Sequence, residues 1–167
     1  NQVWVSDITA FKFGDKYYYL CAIIDLFSRK IISYRVSQNS STQLLTKTFK
    51  QAYSERKPEK GLMFHSDRGT QYMSFAFVHL LESLEIKQSF SRTGRPHDNA
   101  VAEAFFSILK KEELYRRHYT SKADLMKGIH RFIDFYNSER PHSTIQYKTP
   151  EQKEKEYWDK KKGSSFV

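Results

Sequence analysis

Strand-type and helix-type patterning follow one another along this chain in a fixed order: three extended segments come first, then helical segments interleave with two short apolar runs. Trp4 to Ala10 carries Trp4, Val5 and Ile8 among polar residues. Gly14-Asp15 signals a turn, and Tyr17 to Asp25 and Lys30 to Val36 are rich in β-branched and aromatic residues, so three strands in meander order are predicted. Leu44, Leu45, Thr48, Phe49 and Ala52 recur at helical spacing after a Ser/Thr cluster suited to N-capping, which predicts an amphipathic helix over Thr42 to Glu55. Leu62 to His65 reads as a short buried strand. Ser74 is a candidate N-cap for a helix through Leu84, and Ile86 to Phe90 reads as a last strand.

Arg92 to His97 contains Gly94 and Pro96 and is predicted to be a flexible basic loop. Val101, Phe105, Ile108 and Tyr115 trace one side of a helix from about Asp98 to Arg117. Ser121 to Asp124 resembles a capping box before a helix carrying Leu125, Ile129, Phe132, Ile133 and Tyr136. Beyond Pro150, the lysine-rich stretch Lys153 to Lys162 reads as helical or frayed, and Gly163 to Val167 as disordered. The order β-β-β-α-β-α-β-α-α predicts an α/β fold with a mixed five-stranded sheet and helices on both faces, the order of a ribonuclease-H-like fold. The expected organisation is one ribonuclease-H-like core over 1–150 and a lysine-rich C-terminal tail over 151–167.

Composition narrows the partners. The 167 residues include 28 Lys plus Arg against 19 Asp plus Glu, a formal net charge of +9, which favours a polyanion such as nucleic acid. The single cysteine, Cys21, excludes an internal disulfide and a multi-Cys zinc site, and fits a reducing compartment. No apolar run approaches the roughly 20 residues that span a bilayer, and no signal peptide opens the chain, so no membrane partner is expected.

Three acidic residues stand where acids are awkward: Asp7 within the first strand, Asp67 just past the fourth, and Glu103 within a helix that reads as partly buried. Burying a carboxylate is costly unless a cation or hydrogen bonds compensate, so three convergent carboxylates point to a metal site. Three separately satisfied carboxylates are the alternative, because 19 acids in 167 positions give about two chance pairs at any fixed separation of 36. Local context favours the metal site. Phe64-His65-Ser66-Asp67-Arg68-Gly69-Thr70-Gln71-Tyr72 puts an acid and a turn glycine directly after a strand, where α/β proteins build their sites. With 35 residues between it and Asp67, Glu103 shares a helical face with Asn99, Ser107 and Lys110.

Five stretches carry a resemblance: Trp4 to Thr9, Ile24 to Ile32, His65 to Tyr72, Asp98 to Glu103, and Tyr136 to His142. In order, spacing and local sequence they resemble the catalytic core of transposases of the third bacterial insertion-sequence family, in the retroviral-integrase superfamily. The resemblance implies that Asp7, Asp67 and Glu103 form the catalytic Asp-Asp-Glu triad, and that Lys110 is the basic residue seven past the glutamate. It implies two Mg2+ or Mn2+ ions, DNA (transposon ends and target) as substrate, a homo-oligomer on DNA, and a bacterial cytoplasmic, nucleoid-associated setting. Such a triad suits phosphoryl transfer, since three carboxylates can hold two divalent cations roughly 3.5 to 4 Å apart. The reactions implied are hydrolysis at an element end to free a 3′-hydroxyl, then attack of that hydroxyl on another phosphodiester, with one end joining the other to give a circular intermediate. Ser6, Ala104 and Ile145-Gln146 depart from the family's more usual Thr, Ser and Leu-Gly. The family's helix-turn-helix region is expected to precede residue 1, which makes the chain an excised domain.

Other residues have two readings each. Asp25 pairs with Arg29 or approaches the metals; His65 and His97 are satisfied histidines or ligands. Arg92, Arg95 and His97 form a solvated turn or contact phosphate. Arg140 and His142 mark a helix stop or contact DNA or a second subunit. A ribonuclease-H-like nuclease acting on RNA or hybrids, and a catalytically silent DNA-binding or assembly module, are the competing functions; the second predicts a broken triad.

Overall fold

The computed structural model describes residues 1–91 and 99–163. Five strands form one mixed sheet: β1 (Val3–Phe13), β2 (Lys16–Asp25), β3 (Ile31–Ser37), β4 (Met63–Ser66) and β5 (Lys87–Phe90), in the spatial order β3-β2-β1-β4-β5. The first three make the expected antiparallel meander, turned by Gly14 at φ +59°. β4 then returns parallel to β1, and β5 parallel to β4. Central β1 is therefore antiparallel to one neighbour and parallel to the other. Leu20 through Asp25 on β2 are all buried, so the sheet is covered on both faces where β2 crosses it.

The helices are α1 (Thr42–Arg56), α2 (Phe75–Ser83), α3 (Ala100–Leu109), α4 (Lys122–Ser138) and α5 (Pro150–Gly163). Ser41 caps α1 by accepting from the Leu44 amide at 3.2 Å. All five residues read from the α1 pattern, four apolar and Thr48, are buried, and Phe49 meets Trp4, Phe64 and Phe77 edge-on, with ring centroids 6.3, 5.5 and 5.7 Å away. Cys21 lies in this core, where burial pushes its thiol up to about 12. Its role is packing. Ser74 precedes α2 but does not cap it, because its hydroxyl donates to the Gln71 carbonyl at 2.8 Å instead.

Contacts divide the chain into two compact units, Asn1–Phe27 with Ile31–Phe106, and Ser28–Lys30 with Ser107–Val167. The first holds the whole sheet with α1, α2 and most of α3. The second holds α4 and α5. Residue 150, the boundary read from sequence, is the first residue of α5.

The helix expected over Asp98 to Arg117 is shorter. α3 ends at Leu109, and Lys110–Leu114 continues as a single π turn. The buried stripe runs through Ala102, Phe105, Phe106 and Leu109 and ends on Glu113, so Tyr115, expected on the apolar side, is 68% exposed. Glu113 is held inside by the Tyr119 hydroxyl at 2.8 Å and the Arg117 guanidinium at 2.9 Å. These charge-assisted bonds favour the wide turn that brings the carboxylate inward.

In α4 the expected Leu125, Ile129, Phe132, Ile133 and Tyr136 are all buried, and the Ser121 cap accepts from the Asp124 amide. The reciprocal arm of the capping box reaches the Thr120 amide rather than Ser121's own. Gly128 fits beneath two side chains: a Cβ there would stand 2.6 Å from Tyr119 Cε1 and 2.8 Å from Glu113 Oε1. Gly128→Ala should therefore destabilise this unit by about 1–3 kcal/mol. Thermal melting checks it; an unchanged Tm would mean that Tyr119 and Glu113 move aside without cost.

The lysine-rich segment is helical through Gly163. Its early acids are engaged, Glu151 and Glu154 by Lys30, and Glu156 by Lys148. Gln146, standing where the resemblance leads one to expect glycine, is left-handed at φ +63°. That conformation accounts for the glycine preference. Among the described residues, no helix is long and apolar enough to cross a membrane.

Candidate active site

Asp7 and Asp67 both follow the parallel β1/β4 ladder, whose last pair is Val5 with His65: Asp7 is two residues farther along β1, and Asp67 is one residue past the end of β4. Both lie near enough to Tyr72 for its hydroxyl to feel the field of each. The Asp67 carboxylate is fixed by its own turn: its Oδ1 accepts from the Gly69 amide at 2.9 Å. Gly69 leaves room here, since a Cβ would lie a tight 3.0 Å from that same oxygen. Asp7 Oδ1 accepts from the Ile8 amide at 2.8 Å.

Beneath them, on the other face of β1, lies a hydroxyl network that sequence inspection passed over. Ser6 Oγ is 2.9 Å from both the Ala22 carbonyl and the Tyr72 hydroxyl, and both residues are buried. Burial foremost, then the neighbouring Cys21, pushes the Tyr72 hydroxyl well above its usual range, and the fields of Asp7 and Asp67 both add to the shift. The same phenol thus senses the two carboxylates. A polar residue between Val5 and Asp7 in a strand interior was the available signal.

Glu103 lies in the first turn of α3 and is exposed, off the buried stripe, which passes through its neighbour Ala102. Asn99, four residues earlier, is buried; its Nδ2 donates to the Ser6 carbonyl at 3.5 Å, a long bond that ties the start of α3 to the residue before Asp7. Asn99 Oδ1 is buried without a hydrogen-bond partner among the described residues. Lys110 is half-buried at the start of the π turn, so the regular helical spacing that related it to Glu103 stops one residue short of it.

Hard oxygen donors of this kind suit Mg2+ or Mn2+. The donor chemistry of Asp7, Asp67 and Glu103 therefore fits such a cation. Their gathering is incomplete: among the described residues no group of three His, Cys, Asp or Glu stands close enough to hold an ion. The burial expected of all three is also not seen, Asp7 being half-buried and Asp67 exposed.

The remaining candidates divide sharply. Both ring nitrogens of His65 are engaged by serines, Nδ1 with Ser89 at 3.0 Å and Nε2 with Ser91 at 3.2 Å, which makes it a satisfied histidine. Asp25 is buried and accepts from the Phe27 amide at 2.9 Å, shaping the turn after β2. Arg140 grips Glu112 at 2.8 and 3.3 Å, holding that carboxyl below its usual range. His142 is buried edge-on against Tyr136, with centroids 4.4 Å apart, and burial lowers its pKa. Both therefore have partners within the chain, Glu112 for Arg140 and Tyr136 for His142. Arg92, Arg95 and His97 lie outside the described residues.

Comparison with known proteins gives a consistent set. A family model described as an integrase core domain matches residues 1–96, and a second of the same description matches residues 84–150. The chain is 36% identical over 156 residues to a transposase for insertion sequence element IS904 of Lactococcus lactis, covering 93% of this chain and 62% of that protein. It is 35% identical over 150 residues to a putative transposase for insertion sequence element IS150 of Escherichia coli, covering 90% of this chain and 53% of that one. The chain thus spans little more than half the length of these relatives. Among solved structures, the HTLV-2 integrase catalytic core domain in complex with magnesium superposes with a TM-score of 0.70 at 22% identity, covering 91% of this chain and 95% of that one. At that identity the likeness speaks to the fold, which is ribonuclease-H-like as expected.

Proposed function

This chain belongs to the integrase core domain family, and from that premise we propose that it is the catalytic portion of a DNA transposase, cutting and joining strands at the ends of an insertion sequence. The observation that supports the reading is that the segments bearing Asp7 and Asp67 both run on from the paired residues Val5 and His65 of the parallel β1/β4 ladder. The named activities of the two transposase relatives support it.

On this reading Asp7, Asp67 and Glu103 are the catalytic triad and would hold two divalent cations, Mg2+ or Mn2+, as the magnesium in the HTLV-2 core supports. When bound, such ions supply Lewis-acid stabilisation of the charge that develops at the phosphodiester. The chain's own part is to present acceptor oxygens from β1 and from the turn after β4, where the Gly69 amide holds the Asp67 carboxylate. Water attacks the phosphodiester at an element end and a 3′-hydroxyl leaves; that hydroxyl then attacks a second phosphodiester and displaces another 3′-oxygen. One end joining the other would give a circular intermediate. Lys110, Arg92 and Arg95 serve as DNA contacts by meeting phosphates, whereas Asn99, buried and bonded to the Ser6 carbonyl, ties down the start of α3 instead of the DNA contact read from sequence. The partners are transposon ends and target DNA, bound by a homo-oligomer in the bacterial cytoplasm.

The test is to incubate the full-length protein with a labelled element end and Mg2+. A nick that leaves a 3′-hydroxyl at the tip is expected. Cleavage of RNA–DNA hybrids with no attack on element ends would instead favour the ribonuclease reading.

A further inference from the structure

We propose that Ser6 and Tyr72 are positioning residues: their hydroxyl pair clamps the Asp67 turn to β1 and so sets the spacing of Asp7 and Asp67 toward a divalent cation. The inference rests on the metal-dependent reading above.

Proton counting fixes the direction of the bonds. Ser6 Oγ lies 2.9 Å from the Ala22 carbonyl, which can only accept, so the single Ser6 proton is committed there. The Tyr72 hydroxyl, also 2.9 Å from Ser6 Oγ, must then be the donor to it.

A continuous path follows. The Asp67 carboxylate accepts from the Gly69 amide at 2.9 Å, the Gly69 carbonyl accepts from the Tyr72 amide at 3.0 Å, and the Tyr72 ring crosses to Ser6, the residue before Asp7. Tyr72 is also anchored from β5, its carbonyl accepting from Gln88 Nε2 at 2.9 Å. The Ser6 carbonyl receives Asn99 at the head of the helix that bears Glu103. Ser6 is thus a junction of the segments that carry all three acids.

Alternation along β1 sends the Ser6 side chain into the core and Asp7 to the opposite face. Ser6 and Tyr72 are 0% and 1% exposed, so neither can touch a nucleic acid or an ion at the carboxylates. Their influence passes through backbone placement. Supporting groups of this kind typically alter metal affinity by about 10- to 100-fold when removed.

The test measures Mn2+ affinity of the full-length protein by the electron paramagnetic resonance signal of the free ion, with melting curves recorded alongside. Tyr72→Phe, which keeps the ring, should weaken Mn2+ binding about tenfold, and Ser6→Ala at least as much. Ser6→Thr keeps the hydroxyl and should remain within about threefold of wild type. Asp7→Asn is the reference for loss of the site. Wild-type affinity in Tyr72→Phe, with binding lost in Asp7→Asn, overturns this inference and leaves the metal reading standing. Wild-type affinity in Asp7→Asn overturns the metal reading, and this inference with it. Should Tyr72→Phe fail to fold, Ser6→Ala against Ser6→Thr decides: equal affinities overturn the clamp, and a loss confined to Ser6→Ala supports it.

Discussion

Asp7→Asn, Asp67→Asn and Glu103→Gln should each lower strand cleavage and joining by the full-length protein by at least about 1,000-fold, while the fold and binding of element ends stay nearly intact. Each change removes one negative charge with little change in volume. Asn at position 67 can still accept from the Gly69 amide through its side-chain oxygen, so the turn should survive while the charge is lost. Asp7 and Glu103 differ in setting, one half-buried on a central strand and the other exposed on a helix, yet the expected losses are equally severe because groups that act as one unit are strongly non-additive. Gel assays of nicking and joining on a labelled end provide the measurement. Activity within tenfold of wild type in any one variant removes that residue from the catalytic set.

The second large effect is ionic. A net charge of +9, with exposed Arg116, Arg131, Lys155, Lys160 and Lys162, predicts DNA binding dominated by phosphate neutralisation. The 167-residue chain alone should bind duplex DNA with micromolar affinity at physiological salt, and should lose about 1,000-fold between 50 and 200 mM salt if about six phosphates are engaged. Phosphate contacts carry little sequence information, so duplexes bearing element ends should compete little better than random ones. Competition titrations at two salt concentrations check this. A preference for ends above about 100-fold, roughly 2.7 kcal/mol, would place base reading within this chain.

Periodicity was enough for the strand and helix order, and for the buried faces of α1 and α4, because these depend on local spacing. What it missed depends on partners far away in sequence. Ser74 has the right residue type and position for a cap, yet the nearby Gln71 carbonyl takes its hydroxyl. Tyr115 was read as apolar-facing because nothing local announces the π turn, which follows Glu113 being drawn inward by Arg117 and Tyr119. Arg140 and His142 look like exposed polar residues after a helix until Glu112 and Tyr136 are seen beside them.

The candidate site shows the same division. Asp7, Asp67 and Glu103 could be picked out from motif context, and the sheet order sets β1, which bears Asp7, beside β4, which leads to Asp67. The roles of Ser6 and Tyr72 could not be read, since a hydroxyl pair 66 positions apart leaves no local pattern. Nor does residue type disclose exposure, and Glu103 stands in solvent where a buried acid was expected.

The double pairing of β1 also bears on how the molecule assembles in time. Its antiparallel partner is reached across the two-residue turn at Gly14-Asp15, so the hairpin holding Asp7 needs only short-range loop closure. Its parallel partner lies much farther along the chain, Val5 meeting His65, and that pairing must bear the entropy of closing the long intervening loop. Asp7 therefore sits on a strand held by one local and one distant pairing, and chemistry that needs both aspartates requires the distant half of the sheet to be in place.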